Sequence, residues 1–227
     1  MDSDARQTLL RTVYTCQSCP EGFGFTRPVP GQPYYKFPPT IGATGQAELL
    51  FVGINPRRAG NEALHDALMA NIGAFEGLAR NWDGRQRYIA AGGPEAHYQS
   101  HVEVVEGVYG RGARFEDHAA VTELFFCASA DSAGLPPVRS ECADRYFKTV
   151  LRLVAPRVVI CVGARVFKYF RDRYGGGGGA MSVRFDQVEA ALVRMPHPNA
   201  RMSDQERERE IGAAIVEIRA MLSRATE

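Results

Sequence analysis

The sequence predicts an α/β fold in which a mainly parallel sheet is covered by helices on both faces, and three observations carry that prediction. Apolar runs at residues 49–52 and 158–162 are continuous rather than alternating, as strands buried on both sides require. Each run stops at a glycine, Gly53 and Gly163, and a segment with helical spacing follows each. Two strand candidates end in stiff polar turns, Asn55-Pro56 after the first and Pro196-His197-Pro198 after the last. Such turns deliver polar side chains to the carboxyl edge of the sheet, where open α/β sheets hold their ligands. Asn55 and His197 are therefore read as two halves of one site.

A chain of 227 residues, 45% hydrophobic, can bury a real core and suits a single domain over its whole length, 1–227. A formal net charge of +1 neither demands nor excludes a polyanionic partner, so a nucleic-acid surface would be a local patch. There is no run of eighteen apolar residues, and the first residues lack the basic and apolar regions of a signal peptide. A cytoplasmic protein with no membrane contact, acting as a monomer, is expected.

Taken in order, residues 4–14 suit a short helix with Leu9, Leu10 and Val13 on its apolar side. Six prolines and five glycines over residues 20–45 rule out regular periodicity, so a cysteine-bearing loop (about 15–46) should wrap the surface. After the first strand, residues 61–78 space Leu64, Ala67, Leu68, Ile72 and Phe75 as a helix. Residues 80–118 read as an inserted region over the site, with a helix at 94–105. His97 and His101, four apart there, suit a solvated helix face better than a metal pair.

Residues 119–127 form a second strand candidate, β-branched and aromatic. Ser140 is placed to cap a helix at 141–154, whose face Tyr146, Phe147, Val150, Leu151 and Val154 is apolar and which Pro156 ends. The strand at 157–163 leads to a helix through about residue 169, and the glycine run 175–179 reads as a tether. A strand at 192–195 and a final helix at 204–222 follow, the latter with Ile211, Ile215, Ile218 and Leu222 on one face. Its arginines suit a solvated face.

Cys16 and Cys19 form a Cys-x-x-Cys pair, Cys127 follows the second strand, and Cys142 begins the next helix. Four thiolates from separate segments suit an iron–sulfur cluster or a zinc ion, either of which would pin the Pro-rich loop to the domain. Cys161, inside an apolar strand, is read as a small buried hydrophobe.

The ordered set Cys16-x-x-Cys19, Leu50-Phe-Val-Gly-Ile-Asn-Pro56, Val121-Thr-Glu-Leu-Phe-Phe-Cys127, Cys142, Pro156-Arg-Val-Val-Ile-Cys-Val-Gly163 and Met195-Pro-His-Pro-Asn199 resembles the uracil-DNA glycosylase superfamily. It is most similar to the iron–sulfur, family 4-like branch, although Gly53-Ile-Asn-Pro56 looks like the mismatch-specific and single-strand-selective branches. The resemblance implies a three-layer α/β/α sandwich, a 4Fe-4S cluster on Cys16, Cys19, Cys127 and Cys142, and DNA as partner. It also implies that Asn55 and His197 are catalytic and that Gly53, Ile54 and Glu123 line the base pocket, with Phe75 or Trp82 stacking on the base. Arg201 and Met202 match the wedge that enters the duplex, and Arg57, Arg58 and Arg194 suit phosphate contacts.

Glu123 stands where the family 4-like enzymes carry an Asn. An ionised carboxylate accepts hydrogen bonds only, so a base offering a donor there suits this chain better than uracil. The chemistry implied is hydrolysis of the N-glycosidic bond of a damaged or deaminated base, uracil or a related one, flipped out of DNA. Asn55 would orient water and His197 would stabilise the departing base. The alternative is a catalytically inactive nucleic-acid-binding or regulatory module on the same fold.

Overall fold

Strand β2 (Leu49–Gly53) has all five residues buried, and so do β3 (Ala119–Glu123) and β4 (Val158–Val162). The computed structural model describes residues 8, 9, 12, 13, 16, 18, 41–42, 46–54, 95–127, 129, 141–174, 182–185 and 188–224. The helix expected at 61–78 and the glycine run lie outside them, as do Asn55, Arg57, Arg58, Phe75, Trp82, Cys19 and Ser140.

Within the described residues, one sheet has the order β1-β3-β2-β4-β6-β5, with β1 spanning Ile41–Gly42, β5 Ser182–Phe185 and β6 Val188–Met195. The four inner strands, β3-β2-β4-β6, run parallel, and the two edge strands pair antiparallel. From β2 the chain passes to β3 on one side, then crosses to β4 on the other. Connections diverge between β2 and β4, which makes their carboxyl ends the switch point where α/β sheets open a ligand crevice.

Alternation along the strands explains the uninterrupted apolar runs. Leu50, Val52, Val159, Cys161 and Leu192 face one helical layer, formed by α3 (Glu141–Val154) and α4 (Ala164–Tyr174), with Leu9 and Val13 packed in the same core. Leu49, Phe51, Val158, Ile160, Val193 and Met195 face the opposite layer of α1 (Glu95–Tyr109), α2 (Phe115–His118) and α5 (Asp204–Arg224). The result is a three-layer α/β/α sandwich, in which burying each Phe or Leu completely is worth about 1.5–3 kcal/mol.

The amphipathic face expected of α3 is buried as Tyr146, Phe147, Val150, Leu151 and Val154. Pro156 ends the helix, and Ala155 just before it takes a left-handed φ of 47°, donating its N–H to the Leu151 carbonyl at 2.7 Å. α4 runs on to Tyr174, beyond the expected end near residue 169, because Tyr169 and Phe170 continue its buried side. The hairpin β5–β6, closed by the Phe185–Val188 pair, was not legible beside the glycine run, and β6 starts four residues before the apolar stretch at 192–195.

The helix expected at 94–105 forms as Glu95–Tyr109, and within residues 95–118 Val104, Val105 and Phe115 are core residues. His101 corrects the expectation of a solvated helix face, since it is 1% exposed and its ring lies 4.6 Å from that of Phe51. Among the described residues, no helix is long and apolar enough to cross a membrane.

At the amino edge of the sheet, Glu48 accepts from the Tyr109 hydroxyl (2.8 Å) and from Arg157 Nη1 (2.7 Å), while Arg157 Nη2 donates to the Leu222 carbonyl. Tyr109 stacks on His118 with ring centres 3.8 Å apart. One small network thus joins the starts of β2 and β4 to the ends of α1 and α5, on the side away from the crevice.

Candidate active site at the carboxyl edge

Parallel strands bring their carboxyl ends to one edge, and here that edge gathers Gly53 and Ile54 after β2, Glu123 at the end of β3, Gly163 after β4 and His197 after β6. Backbone bonds hold the ends in step: Leu124 N–H donates to the Gly53 carbonyl (3.0 Å), Phe125 N–H to Ile54 (3.0 Å) and Gly163 N–H to Met195 (2.9 Å). Asn55 follows Ile54 directly in sequence, outside the described residues.

His197 sits half-buried between two buried prolines, Pro196 and Pro198. Its loop closes as a tight turn, with Ala200 N–H donating to the His197 carbonyl at 2.8 Å. The Asn199 N–H donates to His197 Nδ1 at 3.1 Å. A ring nitrogen that accepts this bond carries no proton, so the neutral ring presents Nε2–H. Gly163, with φ of 96°, lies beneath: a Cβ built there would stand 3.3 Å from His197 Cβ, so any larger residue would crowd the imidazole.

Arg207, in the first turn of α5, was assigned by sequence to the solvated face, and the structure corrects this. Its Nη1 donates to the Pro198 carbonyl (2.6 Å) and to the His197 carbonyl (3.5 Å), and its Nη2 to the Ala200 carbonyl (3.2 Å). A single guanidinium therefore takes the carbonyls of the His197 turn, as its fork of donors allows. α5 is itself fixed by a capping box: Glu206 N–H donates to Ser203 Oγ (3.2 Å), and Ser203 N–H donates to the Glu206 carboxylate (2.9 Å). These bonds from the Ser203 backbone and hydroxyl hold the Glu206 carboxyl below its ordinary value. The Ser203-x-x-Glu206 pattern was readable in the sequence and locates Arg207 one residue further on.

Glu123 is 4% exposed, and its register partner across β2–β3 is Gly53. The carboxylate occupies the space that a side chain on Gly53 would need: a Cβ there would lie 2.0 Å from Glu123 Oε2. Ile54 packs half-buried against the core on the α3 side. Arg194 and Arg201 are exposed, and Met202 is half-buried on the link between the His197 turn and α5. Of the described candidates, Gly53, Glu123 and His197 thus share the crevice edge, Arg201 and Met202 stand beside the His197 loop, and Ile54 turns to the core.

Cys127 and Cys142 are buried and Cys16 is half-buried. Their segments meet at Tyr146: its hydroxyl hydrogen-bonds the Cys16 side chain, Cys142 lies one turn earlier on α3, and Phe126 packs edge-on against its ring at 6.0 Å. Burial, with the Cys16 bond, pushes the Tyr146 hydroxyl up to about 12. Among the described residues no group of three or more His, Cys, Asp or Glu is arranged to hold a metal ion. Cys19, the other cysteine of the expected set, lies outside the described residues. Cys161, fully buried in β4, has its thiol pushed well up by burial and takes no part.

No family model matches the chain, and no curated protein matches its sequence.

Proposed function

We propose that the chain is a DNA-base glycosylase of the uracil-DNA glycosylase type, hydrolysing the bond between a flipped base and its sugar. The observation that carries the reading is the His197 turn: an imidazole held as the Nε2–H tautomer at the crevice edge, with its loop clamped by Arg207. Glycosidic cleavage leaves negative charge on the base and positive charge on the sugar. A fixed neutral donor aimed at the base is worth most in that transition state, because its dipole need not reorganise as charge develops. Asn55, next in sequence after Ile54, would orient the attacking water through its carboxamide oxygen. Arg201 and Met202 beside the turn would support the opened strand, offsetting the few kcal/mol that flipping costs.

A cluster or zinc ion held by Cys16, Cys19, Cys127 and Cys142 belongs to this proposal as a structural staple between the amino-terminal segment and α3. The test is base release from single- and double-stranded oligonucleotides carrying uracil, hypoxanthine, xanthine or oxidised pyrimidines, beside Asn55→Ala and His197→Ala. Release that both substitutions abolish is the expected result. Silence across the panel from folded protein would overturn it in favour of a nucleic-acid-binding module.

A further inference from the structure

We propose that the outer face of α3 and α4 is a phosphate-backbone contact for duplex nucleic acid, separate from the crevice and blind to sequence. It shares with the glycosylase reading above only the class of partner. In sequence these two helices carry seven Arg or Lys against three Asp or Glu. On the opposite layer, α1, α2 and α5 carry four Arg against ten Asp or Glu. A formal net charge of +1 is thus the sum of two layers of opposite sign, and the basic one attracts a polyanion to its own side.

Among the described residues, the exposed positions of α3 are Arg145, Lys148 and Arg152, spaced by three and four so that they form one stripe about 10 Å long. Those of α4 are Ala164, Arg165, Lys168, Arg171, Asp172 and Arg173. The helices lie side by side: the Phe147 and Phe170 rings are 5.1 Å apart, and Arg173 Nη2 reaches Asp144 at 2.9 Å. The two stripes therefore make one face. Its described acids are engaged within it, Asp144 by Arg173 and Asp172 by both Lys168 and Arg171, and they offset only part of the basic excess. A lipid surface suits this face less well, because membrane-surface helices set large apolar side chains beside their basic ones. The exposed large apolar residue among those described is Val216, on α5. Single strands stack their bases on aromatic side chains, whereas Tyr146, Phe147, Tyr169 and Phe170 of these helices are buried. Charge alone is on offer, which suits phosphates.

The test is binding of the full chain to a fluorescein-labelled duplex of about two helical turns with no modified base, read by anisotropy over a series of salt concentrations. Two variants each remove two exposed charges from the face: Lys148→Gln with Arg152→Gln on α3, and Lys168→Gln with Arg171→Gln on α4. A matched control, Arg209→Gln with Arg224→Gln, removes two exposed charges from α5. Each phosphate neutralised adds about −0.9 to the slope of log affinity against log salt, so each face variant should make that slope shallower by about 1–2. The control should leave it within about 0.5.

No duplex binding at low salt, a slope unchanged in both face variants, or a control that weakens binding as much would each overturn the proposal. Vesicles of phosphatidylserine and phosphatidylcholine in equal parts form a second arm. Loss of vesicle binding in the face variants, with duplex binding untouched, would give the face to a membrane instead. Base release from modified oligonucleotides is measured separately. A shallower slope without release by the wild-type chain supports this face and sinks the glycosylase reading; release with an unchanged slope does the reverse.

Discussion

Arg207 reaches back from α5 to the Pro198 carbonyl at 2.6 Å, so the helix that closes the chain fixes the loop carrying His197. The two prolines restrict that loop and bring no N–H donors of their own. Arg207 donates to its Pro198 and Ala200 carbonyls. Arg207→Ala should therefore destabilise the protein by about 1–3 kcal/mol, the range for hydrogen bonds to a charged group, and lower base release at least tenfold. Arg207→Lys, with one ammonium in place of a fork, should recover stability better than activity. Denaturant midpoints and release rates measured on the same preparations check both.

Gly53 and Glu123 should be coupled. Gly53→Ala puts a methyl within the Glu123 carboxylate and should cost about 1–3 kcal/mol as overpacking. In a Glu123→Ala background that clash is gone, so the same change should cost clearly less. A double-mutant cycle in urea measures the difference, and additive costs would show that the two residues do not touch in solution.

Glu48 gives the fold an acid-sensitive joint. Burial pushes its carboxyl up, but the Tyr109 hydroxyl and Arg157 guanidinium, with the charges of Arg157 and His118, outweigh burial and hold it below the ordinary 4.5. A carboxyl lowered in the folded state stabilises fully above its unfolded value, and that contribution is lost as pH falls through the folded value. Stability should thus fall below about pH 4.5. Tyr109→Phe should flatten part of that fall, seen as a smaller change in melting temperature between neutral and acid pH.

Ala155 is the one non-glycine residue with positive φ among the described residues. Left-handed backbone costs an L-residue roughly 1–2 kcal/mol, and glycine escapes the clash while adding freedom to the unfolded chain. Ala155→Gly should raise stability by about 0.5–1 kcal/mol without changing base release. A lower denaturant midpoint would show that the strain is absent.

The proposed metal centre sets Cys16, Cys19, Cys127 and Cys142 apart from Cys161, which is fully buried in β4. Anaerobically purified protein should be brown with about four irons per chain. Cys142→Ser should lose the colour, while Cys161→Ala should keep it and lose only packing. Colourless protein without iron or zinc would remove the metal-centre reading.

Sequence alone determined much of the sandwich, because a strand buried on both faces must be apolar throughout and a helix on such a sheet must be apolar along one face. Leu49 to Val52, Val158 to Val162 and the Tyr146 side of α3 carry that requirement openly. The sequence likewise placed Gly53 and His197 at strand ends, since glycine and proline mark where strands stop, whereas it ran the second strand on to residue 127 and the structure ends it at Glu123. Only the tertiary structure decided which ends lie side by side. The crossing from β3 to β4 around β2 is a matter of long-range pairing, and no local periodicity encodes strand order. The same holds for Arg207 and His101: an arginine on a charged helix and a histidine on a mixed one look solvated in sequence. The first lies against carbonyls of the His197 turn and the second under Phe51, through packing partners far along the chain.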